Sequence, residues 1–448
     1  MKKVFLVALI LLLPGSAPAL TLEEAVARGL RQNLELSAVE KEQEAAMAEA
    51  SGQLRDFFPK LLAEGRYMDL TDQGSMEIPR GAYNMGVPMT PIPAYDVTTY
   101  LTDETMHDFS VTLAQPVLGL YKINKAWQLK KRLAGMAAAD VGLEKIRVAM
   151  AVIEAFCHVK MMEKKIDLAK TNIRELDAHL DRIESLHRVG HVLDRDLFQV
   201  RLGLDNARLE LEVAERDRLL AVERLFWVMG GQVDQPVFAE PAAGFPEDID
   251  TVDFDPTVYV ENGLKYRWEM KKAAEAAGAA GLQVGLAASE YLPELNLFAR
   301  YTEQDGDHSL PDSNTIVGVQ VTATLFEWGK TGRQKTAADM RLDRARKNLE
   351  NARKIIRLDV LRKLKTFEDS RARHRLAGQS LNLAEESLRI TQKQYEAGRA
   401  TITDLLNDQT VFHQARTDLA LVAYQMMIDY AAVRAAAGMP PLPEAATE

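Results

Sequence analysis

Cysteine is almost missing from this 448-residue chain. Cys157 stands alone, which excludes an internal disulfide framework and any cysteine-cluster metal site. Aromatic residues are scarce at 7%. Ala, Leu, Glu, Arg and Lys fill long tracts instead, a composition of long helices rather than of an aromatic-rich β-sandwich. Positive charge is in deficit: 55 Lys and Arg face 65 Asp and Glu, and the balance of −10 argues against a nucleic-acid binder. Beyond the N-terminus no apolar run approaches the roughly 20 residues that a transmembrane helix needs. Nucleophile elbow, phosphate loop and zinc signature are all lacking. No catalytic constellation, cofactor site or metal site is therefore expected.

The N-terminus is different. Lys2 and Lys3 precede an apolar run from Val4 to Leu13, broken by Pro14 and Gly15 and followed by Ala17-Pro18-Ala19. This is the pattern of a secretory signal over residues 1–19, with a mature chain from about Leu20. Loss of the two lysines takes the charge to −12. No cysteine follows the run, so no N-terminal lipid anchor is expected there. An exported chain without apolar helices can span a membrane only with β-strands.

The sequence is also a tandem repeat. Gly29-Leu30 recurs as Gly263-Leu264, Pro59 as Pro293 and Arg66-Tyr67 as Arg300-Tyr301, all at an offset of 234. Further on the offset is 208: Gly190 pairs with Gly398, Asp196-Leu197 with Asp404-Leu405, and Gly230 with Gly438. The difference places an extra loop in the first half, from Met68 to Asp108. Domain boundaries follow: repeats at 20–230 and 257–438, a linker at 231–256 and a tail at 439–448.

Each half reads as helix, strand, loop, strand, very long helix, tight turn and return helix. The first helix of the first half runs from Leu22 to about Phe58, where Pro59 stops it. Strands are expected at Leu61–Leu70, Phe109–Val117, Glu294–Glu303 and Thr315–Leu325. One face of each is mostly apolar and the other mostly polar, which suits lipid outside and water inside, or a half-buried sheet in a soluble domain. Proline is absent from 125–189 and from 331–397, so each long helix has room to extend roughly 100 Å. A seam with steps of three and four (Val159, Met162, Ile166, Ala169, Ile173, Leu176, Leu180, Ile183) predicts coiled-coil-like packing. Its counterpart 208 residues later is weaker, with Ser370, His374 and Thr391. Val189-Gly190 and Ala397-Gly398 end the long helices, and Asp194 and Thr401 or Thr403 are placed to cap the returns.

At this point the chain resembles the TolC-like outer-membrane efflux proteins. The resemblance rests on Leu22-Glu23-Glu24-Ala25, Gln115-Pro116-Val117-Leu118, Leu325-Phe326-Glu327-Trp328-Gly329, Gln394-Tyr395-Glu396-Ala397-Gly398 and Thr403-Asp404-Leu405-Leu406, in that order and on a duplicated frame. It implies a mainly α fold with a small β part, in which duplicated α-hairpins form an α-barrel. Four strands per chain would contribute to a trimeric, 12-stranded transmembrane β-barrel. Physics independently demands an oligomer, because four strands cannot close a barrel and open edges are not tolerated in lipid; the count of three comes from the resemblance. The implied role is a passive exit duct in the outer membrane, extending into the periplasm. Its implied partners are a periplasmic adaptor, an inner-membrane transporter and outer-membrane lipid. A soluble periplasmic coiled-coil adaptor or scaffold is the alternative, expected to have a single hairpin and no lipid-facing band.

The resemblance also implies a gate at the periplasmic tip. Asp404 falls on a first acidic ring and Asn407 on the second, where an acid is expected; Asp408 follows it. Tyr395 matches a gate tyrosine and Asp196 its acidic partner. Ala400 stands where a basic gate residue is expected, with Arg399 one place earlier. The tips at Val189, Gly190, Gly398 and Arg399 would dock the adaptor. On their own, these residues read more simply. Asp404 is then a solvated acid in a first helical turn, and Tyr395 packs at the end of the seam. His187 and His191 are separated by Gly190, which argues against a metal pair, and Cys157 is an inert packed thiol. Arg341 to Arg375 is a salt-bridged helix face, and Trp328 reads first as a packing residue, with an interfacial aromatic role as the alternative.

Overall fold

The computed structural model describes residues 19–71, 74–83, 91–100, 105–189, 192–231, 238–239, 245, 249, 254–305 and 313–442. The expected signal peptide up to residue 18, Gly190, His191, most of the linker and residues 443–448 of the tail lie outside the described residues. In chain order the elements are α1 (Leu22–Gln32), α2 (Leu34–Leu54), β1 (Lys60–Asp69), β2 (Ser75–Ile78), β3 (Val97–Tyr100), β4 (Thr105–Pro116), α3 (Leu120–Arg188), α4 (Asp194–Met229), α5 (Pro256–Tyr266), α6 (Trp268–Ser289), β5 (Glu294–Asp305), β6 (Ser313–Thr322), α7 (Lys330–Glu396) and α8 (Ile402–Ala436). They divide into two compact units. One is Met1–Gln43 with Met136–Ala274 and Asn348–Glu448; the other is Glu44–Gly135 with Glu275–Lys347. Both repeats contribute segments to both units.

The second unit contains an antiparallel sheet ordered β1-β4-β5-β6. Its register puts Leu61 opposite Leu113, Ala63 opposite Val111, Leu113 opposite Ala299, and Ala299 opposite Val317. Direct antiparallel partners share a face, so the apolar sets of all four strands merge into one surface. The other face carries Glu64, Ser110, Thr112, Asn296, Arg300, Thr302 and Gln320, and Arg300 Nε donates to Thr112 Oγ1 at 3.0 Å. That face also carries the apolar Leu62, Phe298 and Ile316; Phe298 lies over Gly318, where a β-carbon would sit 2.9 Å from the ring. β6 stops at Thr322 and does not reach Leu325. The stretch expected as an uninterrupted loop, Met68 to Asp108, contains the short pair β2 and β3. Val97, Thr98 and Thr99 supply the β-branched residues that favour such a strand.

In the first unit the duplication is reproduced contact by contact. The predicted single helix from Leu22 to Phe58 breaks at Asn33, whose N–H bonds Gly29 O while its side-chain oxygen accepts from Leu36 N–H. Arg267, which is 234 residues further on, breaks α5 from α6 and bonds Gly263 O in the same way. Gly29 packs against Val148 and Val152, and Gly263 against Ile356 and Val360, each valine or isoleucine pair offset by 208. The return helices end at Gly230 (φ +78°) and Gly438 (φ +74°). A β-carbon at Gly230 would fall 2.2 Å from Gln32 O, and one at Gly438 3.0 Å from Arg267 N. Only glycine combines a left-handed cap with so close an approach. Helices that the apolar pattern alone would run straight through thus break at Asn33 and Arg267, where the glycine ends of the return helices approach them.

The core of this unit gathers Leu22, Leu36, Val152, Phe156, Leu225, Met229, Ile356, Val360, Phe367 and Val433. Cys157 lies within it, its thiol pushed up to about 12 by burial, as expected of an inert packed residue. Down the long helices the predicted seams are covered. Val159, Ile166, Leu176 and Ile183 of α3 are buried, as are Leu197, Val200, Leu204, Ala207 and Ala214 of α4. Ser370 is buried too, with its hydroxyl turned back to Phe367 O at 2.9 Å.

Candidate functional site

The turn after α7 follows from its sequence. Gly398 takes φ +68°, its N–H bonds Tyr395 O, and Arg399 N–H bonds Gln394 O. Thr401 then caps α8. Asp404 N–H donates to Thr401 Oγ1 at 3.2 Å, while Thr401 N–H and Oγ1–H donate to Asp404 Oδ2 at 2.9 and 2.6 Å. This is a capping box with aspartate in the fourth place. The Thr401 hydroxyl and backbone N–H hold the Asp404 carboxyl below its ordinary range.

The other hairpin is capped differently. Leu193, not Asp194, is the N-cap residue of α4, and no side chain caps it. Asp194 enters the first turn and bonds His187 Nε2 across the turn at 2.5 Å. The aspartate one residue inside the helix meets the imidazole sooner than the backbone N–H groups. His187 is thereby tied within its own hairpin.

A compact apolar cluster joins the two tips: Ile183, Leu197, Val200, Ile402 and Leu405 are buried, with Leu388, Leu406 and Tyr395 packed on them. Thr403 Oγ1 donates to Gln199 Oε1 at 3.0 Å across the pair. Tyr395 is half-buried, and burial raises its hydroxyl pKa, with Arg182 opposing and Asp196 reinforcing. Among the described residues no hydrogen bond joins Tyr395 to Asp196. Arg182 reaches Glu396 at 3.7 Å.

The three polar positions after the cap have different fates. Asp404 and Asn407 are exposed and one helical turn apart on the same side of α8. Asp408 is turned inward, accepting from Ser387 Oγ at 3.0 Å and Thr391 Oγ1 at 2.6 Å on α7. Val189, Gly398 and Arg399 are exposed, and Ala400 is half-buried. Thr391, a polar break in the predicted seam, is therefore matched by Asp408 opposite it.

Two turns further along α8, sequence reasoning misses a polar cluster. Gln409 and His413 are buried, and both reach Glu175 Oε2 on α3, at 3.4 and 3.0 Å. The spacing of Ile402, Leu405, Gln409 and His413 was the available signal, since it continues a buried stripe through two polar residues.

Residues 260–439 match the family described as "Outer membrane efflux protein". Among curated proteins, the chain is 22% identical over 325 residues to the alkaline protease secretion protein AprF of Pseudomonas aeruginosa. That alignment covers 68% of this chain and 65% of AprF, just under two thirds of the relative's length. It is 23% identical over 345 residues to the outer membrane protein TolC of Escherichia coli, covering 73% of this chain and 69% of that protein. The solved structure of the outer membrane protein VceC from Vibrio cholerae superposes with a TM-score of 0.75 at 15% identity, over 94% of this chain and 96% of that one.

Proposed function

We propose that this chain is a TolC-like outer-membrane efflux protein, as its matches support, and that it is the outer-membrane exit duct of a tripartite efflux or type I secretion system. One observation carries the reading. One face of the four-stranded sheet is mostly apolar and uncovered, with Leu61, Phe109, Leu113, Val317, Val319 and Val321 all exposed. Among the described residues its edge strands β1 and β6 have no partner on their outer sides. Such a sheet is stable in lipid only when its edges are closed, and four strands are too few to close on themselves. Copies of the chain supply the missing strands; three give twelve, an even number within the range of outer-membrane barrels. Leu325 and Trp328, 94% and 91% exposed just beyond β6, suit the aromatic and apolar border of the bilayer.

The helices of the first unit support the same assembly. On α7, Leu376, Leu383 and Ile390 are exposed at seven-residue spacing, and on α4 so are Leu202 and Leu209. Unpartnered heptad stripes suit a neighbouring helix from another copy. The duct conducts passively, a periplasmic adaptor docks at Val189, Gly190, Gly398 and Arg399, and an inner-membrane transporter supplies the driving force. Paired hairpins and an apolar sheet face do not suit the soluble adaptor.

The gate is placed at the tips. Around a symmetry axis, exposed Asp404 carboxylates form an acidic ring with Asn407 one turn deeper, a site for cations. Asp408 braces α7 against α8 within the second hairpin instead, Asp196 lies near Tyr395 without a hydrogen bond to it among the described residues, and Tyr395 seals the apolar cluster. Two experiments test this. Fractionation should recover a detergent-requiring oligomer from the outer membrane; a freely soluble monomer overturns the duct. In planar bilayers, divalent cations should block the wild type and lose that block in Asp404→Ala, whereas Thr401→Ala, which removes the cap and keeps the carboxylate, should retain it. Equal block in wild type and Asp404→Ala overturns the ring.

A further inference from the structure

Glu175, Gln409 and His413 form a polar node, buried at Gln409 and His413, in the contact between the two hairpins. Glu175 belongs to the first hairpin through α3, and the other two belong to the second through α8. The side chains of Gln409 and His413 lie on the stripe that packs inward, 3% and 8% exposed. His413 Nε2 meets Glu175 Oε2 at 3.0 Å, and Gln409 Nε2 donates to the same oxygen at 3.4 Å. On the far side of the imidazole, Nδ1 is buried and has no partner among the described residues; Gln409 Oε1 is likewise unpaired among them.

That geometry distinguishes the two protonation states. A neutral imidazole with its proton on Nε2 donates to Glu175 and leaves only a lone pair at Nδ1. An imidazolium would add a buried N–H with no acceptor, at the cost of burying an unsatisfied donor and a charge. Other charges nearby divide in sign. Glu175 favours the cation from α3, where His179 also faces the node with Arg182 beyond it. Glu210 of α4 favours it as well, and Arg416 of α8 opposes it. The residues of α7 bonded to α8, Ser387 and Thr391, are uncharged. Burial outweighs the carboxylates: His413 is held below the ordinary histidine value, and His179 with it.

We propose that His413 is a proton-sensitive latch, neutral when the hairpins are packed on each other and protonated when α8 parts from α3, so that acid favours the loosened state. The sign follows from linkage. A histidine whose pKa is depressed in the packed state stabilises that state above its ordinary value and withdraws the stabilisation as pH falls. The latch assigns regulation to the duct proposed above and takes its functional meaning from that reading. Its structural consequence, weaker contact between α3 and α8, does not depend on conduction.

The test uses the full-length oligomer with two readouts. Hydrogen exchange, corrected for intrinsic rates, is followed in peptides containing Glu175 and His413 at pH 7.5 and 5.5; conductance is recorded in planar bilayers at the same values. In the wild type, protection should fall and conductance rise with acid, by at most about tenfold per pH unit for a single site. His413→Phe should abolish both responses. Glu175→Gln, which removes the carboxylate that favours the cation, should enlarge them, and His187→Gln at the tip should leave them as in the wild type. Protection that is unchanged or rises with acid in the wild type overturns the latch, as does a full acid response in His413→Phe. Should His413→Phe fail to assemble, an unaltered acid response in Glu175→Gln overturns it. A normal exchange response without conductance at any pH would instead overturn the duct and leave the latch standing.

Discussion

At Thr401 a single hydroxyl organises the start of α8. It accepts from Asp404 N–H and donates to the Asp404 carboxylate, so two helix-end groups are satisfied by one residue pair. Thr401→Ala should cost about 1 kcal/mol, read as faster hydrogen exchange in the first turn of α8 with little change at its far end. Because the Asp404 carboxyl is held below its ordinary value, its contribution is present above that value and is lost as pH falls through the depressed one. The same turn should therefore fray in strong acid and be intact at neutral pH. His413 moves the same way: its depressed pKa makes the packed state strongest at neutral and alkaline pH. Acid thus weakens the hairpins at two places, but in different ranges, first at the histidine in the contact between α3 and α8 and then at the carboxylate of the tip.

Within the sheet, alternation along each strand is converted by register into two chemically distinct faces. Val319 and Gln320 are neighbours in β6 yet face opposite ways, opposite Leu297 and Asn296. Val319→Arg should cost about 2–4 kcal/mol if its site lies at the bilayer midplane, and should reduce the yield of assembled oligomer in the outer membrane. Gln320→Arg should be tolerated. Equal yields of the two variants would mean that neither face meets lipid. The helices follow a different logic, since their seams are satisfied within one chain on one side and left bare on the other. Buried Leu197 and Leu204 and exposed Leu202 and Leu209 lie on different sides of α4.

In the proposed assembly, those bare stripes and the two sheet edges left unpaired among the described residues are the same requirement expressed twice. A heterologous interface, one edge of each copy meeting the opposite edge of the next, closes a ring without leaving an unpaired strand. Leu209→Glu and Leu383→Glu should each shift the detergent-solubilised species toward monomer, measured by light scattering, while leaving the hydrogen-bonded sheet of the single chain in place. An oligomer unaffected by both substitutions would place the contact elsewhere.

Offsets of 234 and 208, proline-free tracts and the Gly turns already determined the duplication, the hairpins and the four alternating strands, because these depend on periodicity and on local backbone chemistry. The sequence also marked Asp404 as a solvated acid in a first helical turn, whereas Asn407 was singled out only by the resemblance. Only the tertiary structure decided the breaks at Asn33 and Arg267, where long-range contact with Gly230 and Gly438 shapes the helix ends. It likewise turned Asp408 inward to Ser387 and Thr391, gave Asp194 to His187, and brought Glu175 to a histidine 238 residues away. The physical reason is common to all of these. A polar side chain is committed to whichever partner packing brings within about 3 Å, and distance along the chain says nothing about which partner that will be.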